Sequence, residues 1–219
     1  MFYYSLSSFL FFCLIFNYST NKYMEKQTTW YFLHILCNFI VVCLTYNDLT
    51  ICLLNPINAF NDNEFNGSAL GVTTGLHIFH IIRDYKLLNM IDWLHHLISN
   101  FLMSYIGIYL YYNKVFNCGL FFMCGLPGGI DYTLLFLYKL GYVNKITEKK
   151  VNVILNNWIR LPGILYSCYL MHIGFTLNLI KSYNMLYYIA QILTIFNAIY
   201  FAQRVTLNCG YYLKTNNYF

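Results

Sequence analysis

Charge is scarce in this sequence. Asp, Glu, Lys and Arg together make up 10% of the 219 residues, while 59% are apolar and 21% aromatic. Charge this sparse excludes an ordinary water-soluble domain, whose surface is built from far more of it. The apolar runs are continuous and longer than ten residues, which excludes the alternating segments of a β-barrel. There are three prolines, and no Pro/Gly/Ser linker, heptad run or internal repeat divides the chain. No CxxC or Cys/His zinc spacing occurs. Neither HxxxH nor HxxHH is complete among the six histidines, which argues against a membrane di-iron oxygenase; no metal site is expected. A single basic patch is also absent. The net charge of +5 is spread between the apolar runs, so it does not mark a nucleic-acid surface and reads instead as a topology signal.

What is present is a series of seven apolar runs, roughly 2–16, 30–46, 67–82, 92–112, 115–137, 161–180 and 185–202. The expected fold class is all-α, a polytopic membrane protein of about seven transmembrane helices. The first run has no basic n-region and no A-x-A-like site after it, so it reads as a short membrane helix rather than a cleaved signal. Gly67, Gly71 and Gly75 recur every fourth residue and bare one face of the third run for close helix approach. Pro127-Gly128-Gly129 should kink the fifth run and free backbone groups inside the membrane. Between Lys139 and Arg160, Val151, Ile154, Leu155, Trp158 and Ile159 follow helical spacing, which predicts a helix lying in the interface. The segment LTICLLNPI, before an acidic Asn-rich connection containing Asp62 and Glu64, is apolar enough to dip into the interface. A short polar tail ends the chain.

An outside N-terminus puts eleven of the thirteen Lys and Arg residues on the inner side: Lys22, Lys26, Arg83, Lys86, Lys139, Lys145, Lys149, Lys150, Arg160, Arg204 and Lys214. Only Lys114 and Lys181 fall outside. This predicts a lumenal or extracellular N-terminus and a cytosolic C-terminus. Most cysteines lie in apolar runs and read as small buried side chains. Cys52 and Cys118 share the non-cytosolic side, where a disulfide is the alternative.

The stretch from His77 to Ser99 holds four of the six histidines. Ionisable groups at membrane depth are costly, so such a cluster is a functional-site hypothesis. His77, His80 and Asp84 stripe one face of the third helix, extended inward by Thr73. On the fourth, Asp92 lies three and four residues before His95 and His96 and can fix the tautomer of one of them. His95 and His96 are about 100° apart around the axis, so one can face a cavity while the other packs against a neighbouring helix. Asp131, after the Pro-Gly-Gly break, needs a partner or a proton. His172 lies deep in the sixth run, with Tyr169 and Thr176 on its face.

The order of these features resembles the TLC family of multi-pass membrane proteins. Its members carry an aromatic-rich helix ending in Asp and, about ten residues later, a His-His pair. Here HIFHIIRD, ending at Asp84, is followed by DWLHHLIS. In the ceramide synthase branch a D-x-x-L-E-x-A-K motif follows; GIDYTLLFLYKLGY, with Asp131, Leu134 and Lys139, is similar to it. The glutamate of that motif is missing, and Lys139 stands one residue late, as in a divergent member. The resemblance implies a six-helix barrel formed by helices two to seven within residues 30–205. Residues 1–29 would then be an added helix and link, and 206–219 a cytosolic tail.

The resemblance also implies a lipid role. One version is N-acyl transfer, with acyl-CoA as co-substrate, His95 and His96 as nucleophile and general base, and Asp131 in support. The other is a non-catalytic lipid sensor, carrier or membrane-protein chaperone. Asp92, His77, His80, Asp84 and His172 are the ligand-binding candidates in either version. Membrane lipid is the expected partner, and the endoplasmic reticulum or another internal membrane the expected location.

Overall fold

The computed structural model describes residues 1–60, 66–102, 105–106, 114–180 and 184–216. The acidic segment around Asp62 and Glu64, the end of the fourth run at Tyr112, and Lys181 lie outside the described residues.

Among the described residues the chain forms seven helices. They are α1 (Phe2–Thr20), α2 (Lys26–Leu54), α3 (Ser68–Asp84), α4 (residues 90–102), α5 (Lys114–Lys139), α6 (residues 145–176) and α7 (Asn184–Thr215). A short 3-10 turn, Pro56–Phe60, follows α2. Helices α1, α2, α5 and most of α7 are each long and apolar enough to cross a bilayer. The chain is thus all-α, with the character of a multi-pass membrane protein. Its outer surface carries large apolar side chains such as Phe39, Leu54, Ile192 and Leu207, as a lipid-facing surface does.

Local chemistry explains several boundaries. The loop after α5 closes in a Schellman arrangement. Gly141 takes φ +82°, its N–H donates to the Tyr138 carbonyl at 3.0 Å, and the Tyr142 N–H donates to Leu137 at 2.9 Å. Asn144 then caps α6, its side-chain oxygen accepting from the Thr147 N–H at 2.9 Å. At the start of α4, the Asn89 side chain accepts from the Asp92 N–H at 3.0 Å and Asp92 accepts from the Asn89 N–H at 3.1 Å. This reciprocal capping box occupies Asp92 with the backbone rather than with either histidine.

Three helices contain a wide, π-type segment: His96–Leu102 in α4, Phe121–Gly125 in α5 and Leu155–Arg160 in α6. The last two each end immediately before a Leu-Pro-Gly triplet, at 126–128 and 161–163. Proline has no N–H to donate and its ring clashes with the carbonyl four residues back. Widening the preceding turn moves that carbonyl away, so both helices pass through their prolines. The expected break at Pro127 is therefore a π segment followed by uninterrupted helix.

The same effect corrects the reading of residues 139–160. There is no separate interfacial helix: helix continues from Lys145 through Arg160 into Leu161–Thr176. LTICLLNPI is likewise the end of α2 and its 3-10 turn, and α7 runs on through Thr215, so most of the expected tail is helix.

Packing sets the relative directions. A Cβ added to Gly75 would meet the Leu6 carbonyl at 2.9 Å, and one added to Gly71 would collide with the backbone at Phe2 and Leu6. The bare glycine face thus receives α1, parallel to α3. Between them and α2 lies a core of Phe9, Leu33, Val41, Leu76 and Phe79. Helices α2 and α5 are antiparallel, tied by Glu25–Lys139 at 2.7 Å at one end and by Asn117 to Asp48 at 2.6 Å at the other. Asn157 donates to Thr206 at 3.0 Å and fixes α6 to α7.

Candidate functional site

Six helices, α2 to α7, surround a cavity of about 310 Å³ to which each of them contributes polar side chains. Helix α2 contributes His34 and Asn38, and α3 contributes Thr73 and His77. His95 enters from α4, Asp131 and Tyr132 from α5, Asn152 and Arg160 from α6, and Asn197 from α7. Each helix presents these residues because they fall on the face opposite its lipid-exposed side. Trp30, His34, Asn38 and Thr45, for instance, follow helical spacing along an otherwise apolar α2.

Beside the cavity, five histidines gather. His77 and His96 meet Nδ1 to Nδ1 at 3.2 Å, so one donates and the other accepts. The His96 ring is also edge-on to His80 at 4.9 Å, and His95 is 5.7 Å from His77. His34 donates Nδ1–H to the Trp30 carbonyl at 3.0 Å, which leaves Nε2 as its acceptor nitrogen. Tyr132 stacks on the same imidazole at 4.0 Å. Among the described residues, no group of three or more His, Cys, Asp or Glu is arranged to hold a metal ion.

The Asp84 end of the cluster is ionic. Asp84 pairs with Lys26 at 2.6 Å and with Arg83 at 2.5 Å, and lies 3.6 Å from His80. Burial pushes the Asp84 carboxyl up, but hydrogen bonds from Arg83 and Lys26 and their charges outweigh this and hold it below the ordinary carboxylate value. Trp30 lies between the His80 ring, at 4.0 Å, and the Arg83 guanidinium, at 5.0 Å. Asp84, His80, His96 and His77 therefore form a file of polar groups leading from this end to the cavity wall.

Asp131 and Arg160 stand out in the cavity. Asp131 Oδ1 and Arg160 Nε are buried and have no hydrogen-bond partner. Arg160 donates through Nη1 to Asn156 at 2.6 Å. A buried acceptor and a buried donor left open at one cavity make a site that a polar ligand would complete.

A second cavity, of about 460 Å³, lies between α4 and α7. Its walls are mostly apolar, with Leu94, Ile98, Leu193, Phe196 and Tyr200, and it has Asp92 and Arg204 among its lining residues. His95, Met123, Asn197 and Phe201 line both cavities. No family model, curated protein or solved structure matches this chain.

The structure thus brings His77, His80, His95 and His96 together and puts Asp131 on the same cavity as His77 and His95. It divides the adjacent pair: His95 lines both cavities, whereas His96 is 2% exposed and packed among imidazoles. Asp84 and Asp92 are held by ion pairs and by the capping box. His172 lies apart from the cluster, on the exposed side of α6, with Nδ1 3.1 Å from the Tyr187 hydroxyl. The sequence reading missed His34, Asn38, Tyr132, Arg160 and Asn197. The polar stripe on α2 was the available signal for the first two. Arg160 was counted only as a topology charge because helix was expected to restart after it.

Proposed function

We propose that this chain is a divergent TLC-type membrane protein that takes an amphipathic lipid into the bundle formed by α2 to α7. All seven helices cross the bilayer in this reading, with the C-terminus cytosolic and an internal membrane such as the endoplasmic reticulum as the location. The lipid head lies in the polar cavity, near Asp131, Arg160 and His77. Its chain lies in the apolar cavity between α4 and α7. The observation that carries this reading is the position of His95, at the junction of a polar and an apolar cavity. The order of HIFHIIRD and DWLHHLIS supports the family assignment.

The enzymatic version is acyl transfer from acyl-CoA to an amine of the bound lipid. An imidazole nitrogen of His95 attacks the thioester carbonyl, the C–S bond breaks and the CoA thiol departs. The amine then attacks the acyl-imidazole, the amide forms and His95 is restored. Asp131 faces the same cavity and is the nearby carboxylate available to receive the amine proton. The non-catalytic version, a sensor, carrier or membrane-protein chaperone, is favoured by the fate of His96. Its bond to His77 buries it outside both described cavities, so a His-His nucleophile and base pair is not presented to one substrate.

Mass spectrometry of lipid that co-purifies with the protein tests the reading. A retained amphipathic lipid is expected, and a protein free of lipid under mild extraction would contradict both versions. An acyl adduct on His95, lost in folded His95→Ala together with a change in cellular lipid composition, separates the versions. Without that adduct and that change, acyl transfer is refuted and lipid binding alone stands.

A further inference from the structure

Away from the cavity, the end of α2 and the start of α5 are joined by a compact set of contacts. Asn117, 1% exposed, donates to the Asp48 carboxylate at 2.6 Å and to the Asn66 carbonyl at 3.3 Å. The Tyr166 hydroxyl of α6 donates to the Cys52 carbonyl at 2.5 Å. Between these contacts sit Cys52 and Cys118, both free, 0% exposed and packed in the same core cluster. Cys124, half-buried on the same helix as Cys118, differs: it turns its thiol to the Leu120 carbonyl at 3.3 Å.

We propose that Cys52 and Cys118 form a disulfide that joins α2 to α5 covalently. Three observations converge on it. The two free thiols lie fully buried in one core cluster. The backbone on both sides is pinned by side-chain hydrogen bonds, so the pair cannot drift apart. The charge bias of the sequence puts this end on the non-cytosolic side, where disulfides persist. The proposal does not depend on what the cavity binds. Closing the contact brings the sulfurs to about 2 Å. The oxidant is a disulfide, either of an oxidoreductase or of a small thiol. One cysteine thiolate attacks it and releases one thiol; the second cysteine attacks the mixed disulfide and releases the other. Two electrons and two protons end on the oxidant, and the Cys52–Cys118 bond remains. Because both thiols are buried in the folded bundle, this exchange belongs to folding, before α5 packs against α2.

The test is differential alkylation of the full chain expressed in eukaryotic cells. Membranes are dissolved in denaturant with N-ethylmaleimide, reduced, then labelled with its deuterated form, and the peptides are read by mass spectrometry. The expected result is deuterated label on Cys52 and Cys118 to equal extents, and light label on Cys37 and Cys124. An unreduced digest should contain the joined peptide. Cys52→Ser should return Cys118 to light label, and Cys118→Ser should do the same for Cys52, while Cys37→Ser should leave both unchanged. Light label on both cysteines in the unsubstituted chain, or a bond from either to another cysteine, overturns the proposal.

Discussion

The two ends of the bundle use different chemistry to hold the same helices. At one end α2, α3 and α5 meet through full charges: Lys26, Arg83 and Asp84, and Glu25 with Lys139. At the other end α2, α5 and α6 meet through Asn117, Asp48, Tyr166 and two thiols. The first set lies beside histidines and a cavity with open polar atoms. The second lies against an apolar core that includes Cys52, Val115, Cys118 and Tyr187. Lys26 and Glu25 are largely exposed and can be rearranged by a ligand or a proton, whereas the short buried side chains at the other end resist it. The charged end therefore suits binding, and the other end suits holding the frame.

The largest effect that breaks this contrast is expected from Asp84→Ala. It strands Arg83, whose guanidinium is largely buried, and removes the partner of Lys26. A loss of about 2 to 3 kcal/mol is expected in detergent melts, at or below the low end of the cost of breaking a buried ion pair, because Lys26 is half exposed. Asn117→Ala at the opposite end should cost about 1 to 2 kcal/mol, since it empties a packed site and leaves Asp48 without that hydrogen bond. The two losses should add, because the sites share no partner.

Acid separates the ends further. The Asp84 carboxyl is held below its ordinary value. Its stabilisation is thus complete above the unfolded carboxylate value of about 3.9 and disappears as pH falls through the lower folded value. Melting temperature should drop over that range in the unsubstituted protein, and the drop should shrink in Asp84→Asn. The smallest effect is expected for His172→Ala. Its bond to Tyr187 is on an exposed face, so a change of about 0.5 kcal/mol is expected, with no change in bound lipid.

Much of this contrast is legible in the sequence. The spacing of His77, His80 and Asp84, and their short separation from His95 and His96, place the histidines in one layer. Helical geometry also tells that His95 and His96 cannot share a face. The π segments are hidden, since hydrophobic periodicity does not distinguish a wide turn from an ordinary one. Their trace is the repeated Leu-Pro-Gly, read at Pro127 as a break and overlooked at Pro162. That oversight detached Arg160 from α6 and so from the cavity. His34 was missed for another reason: its local partner is a backbone carbonyl one turn back, which any helix offers, and only the fold brings Tyr132 and the other histidines to it. Asp92 illustrates the reverse case, where a residue close to the histidines in sequence is taken up by capping its own helix.

The most direct test of the account uses a fatty-acid probe carrying a diazirine in mid-chain, irradiated with the protein in lipid nanodiscs and mapped by peptide mass spectrometry. Label is expected on Ile98 and Leu193, and its loss when the same probe is used with Phe201→Trp, which fills the junction beside His95. Label confined to outward-facing residues such as Phe39 and Leu54, unchanged in that variant, would contradict a lipid held between α4 and α7.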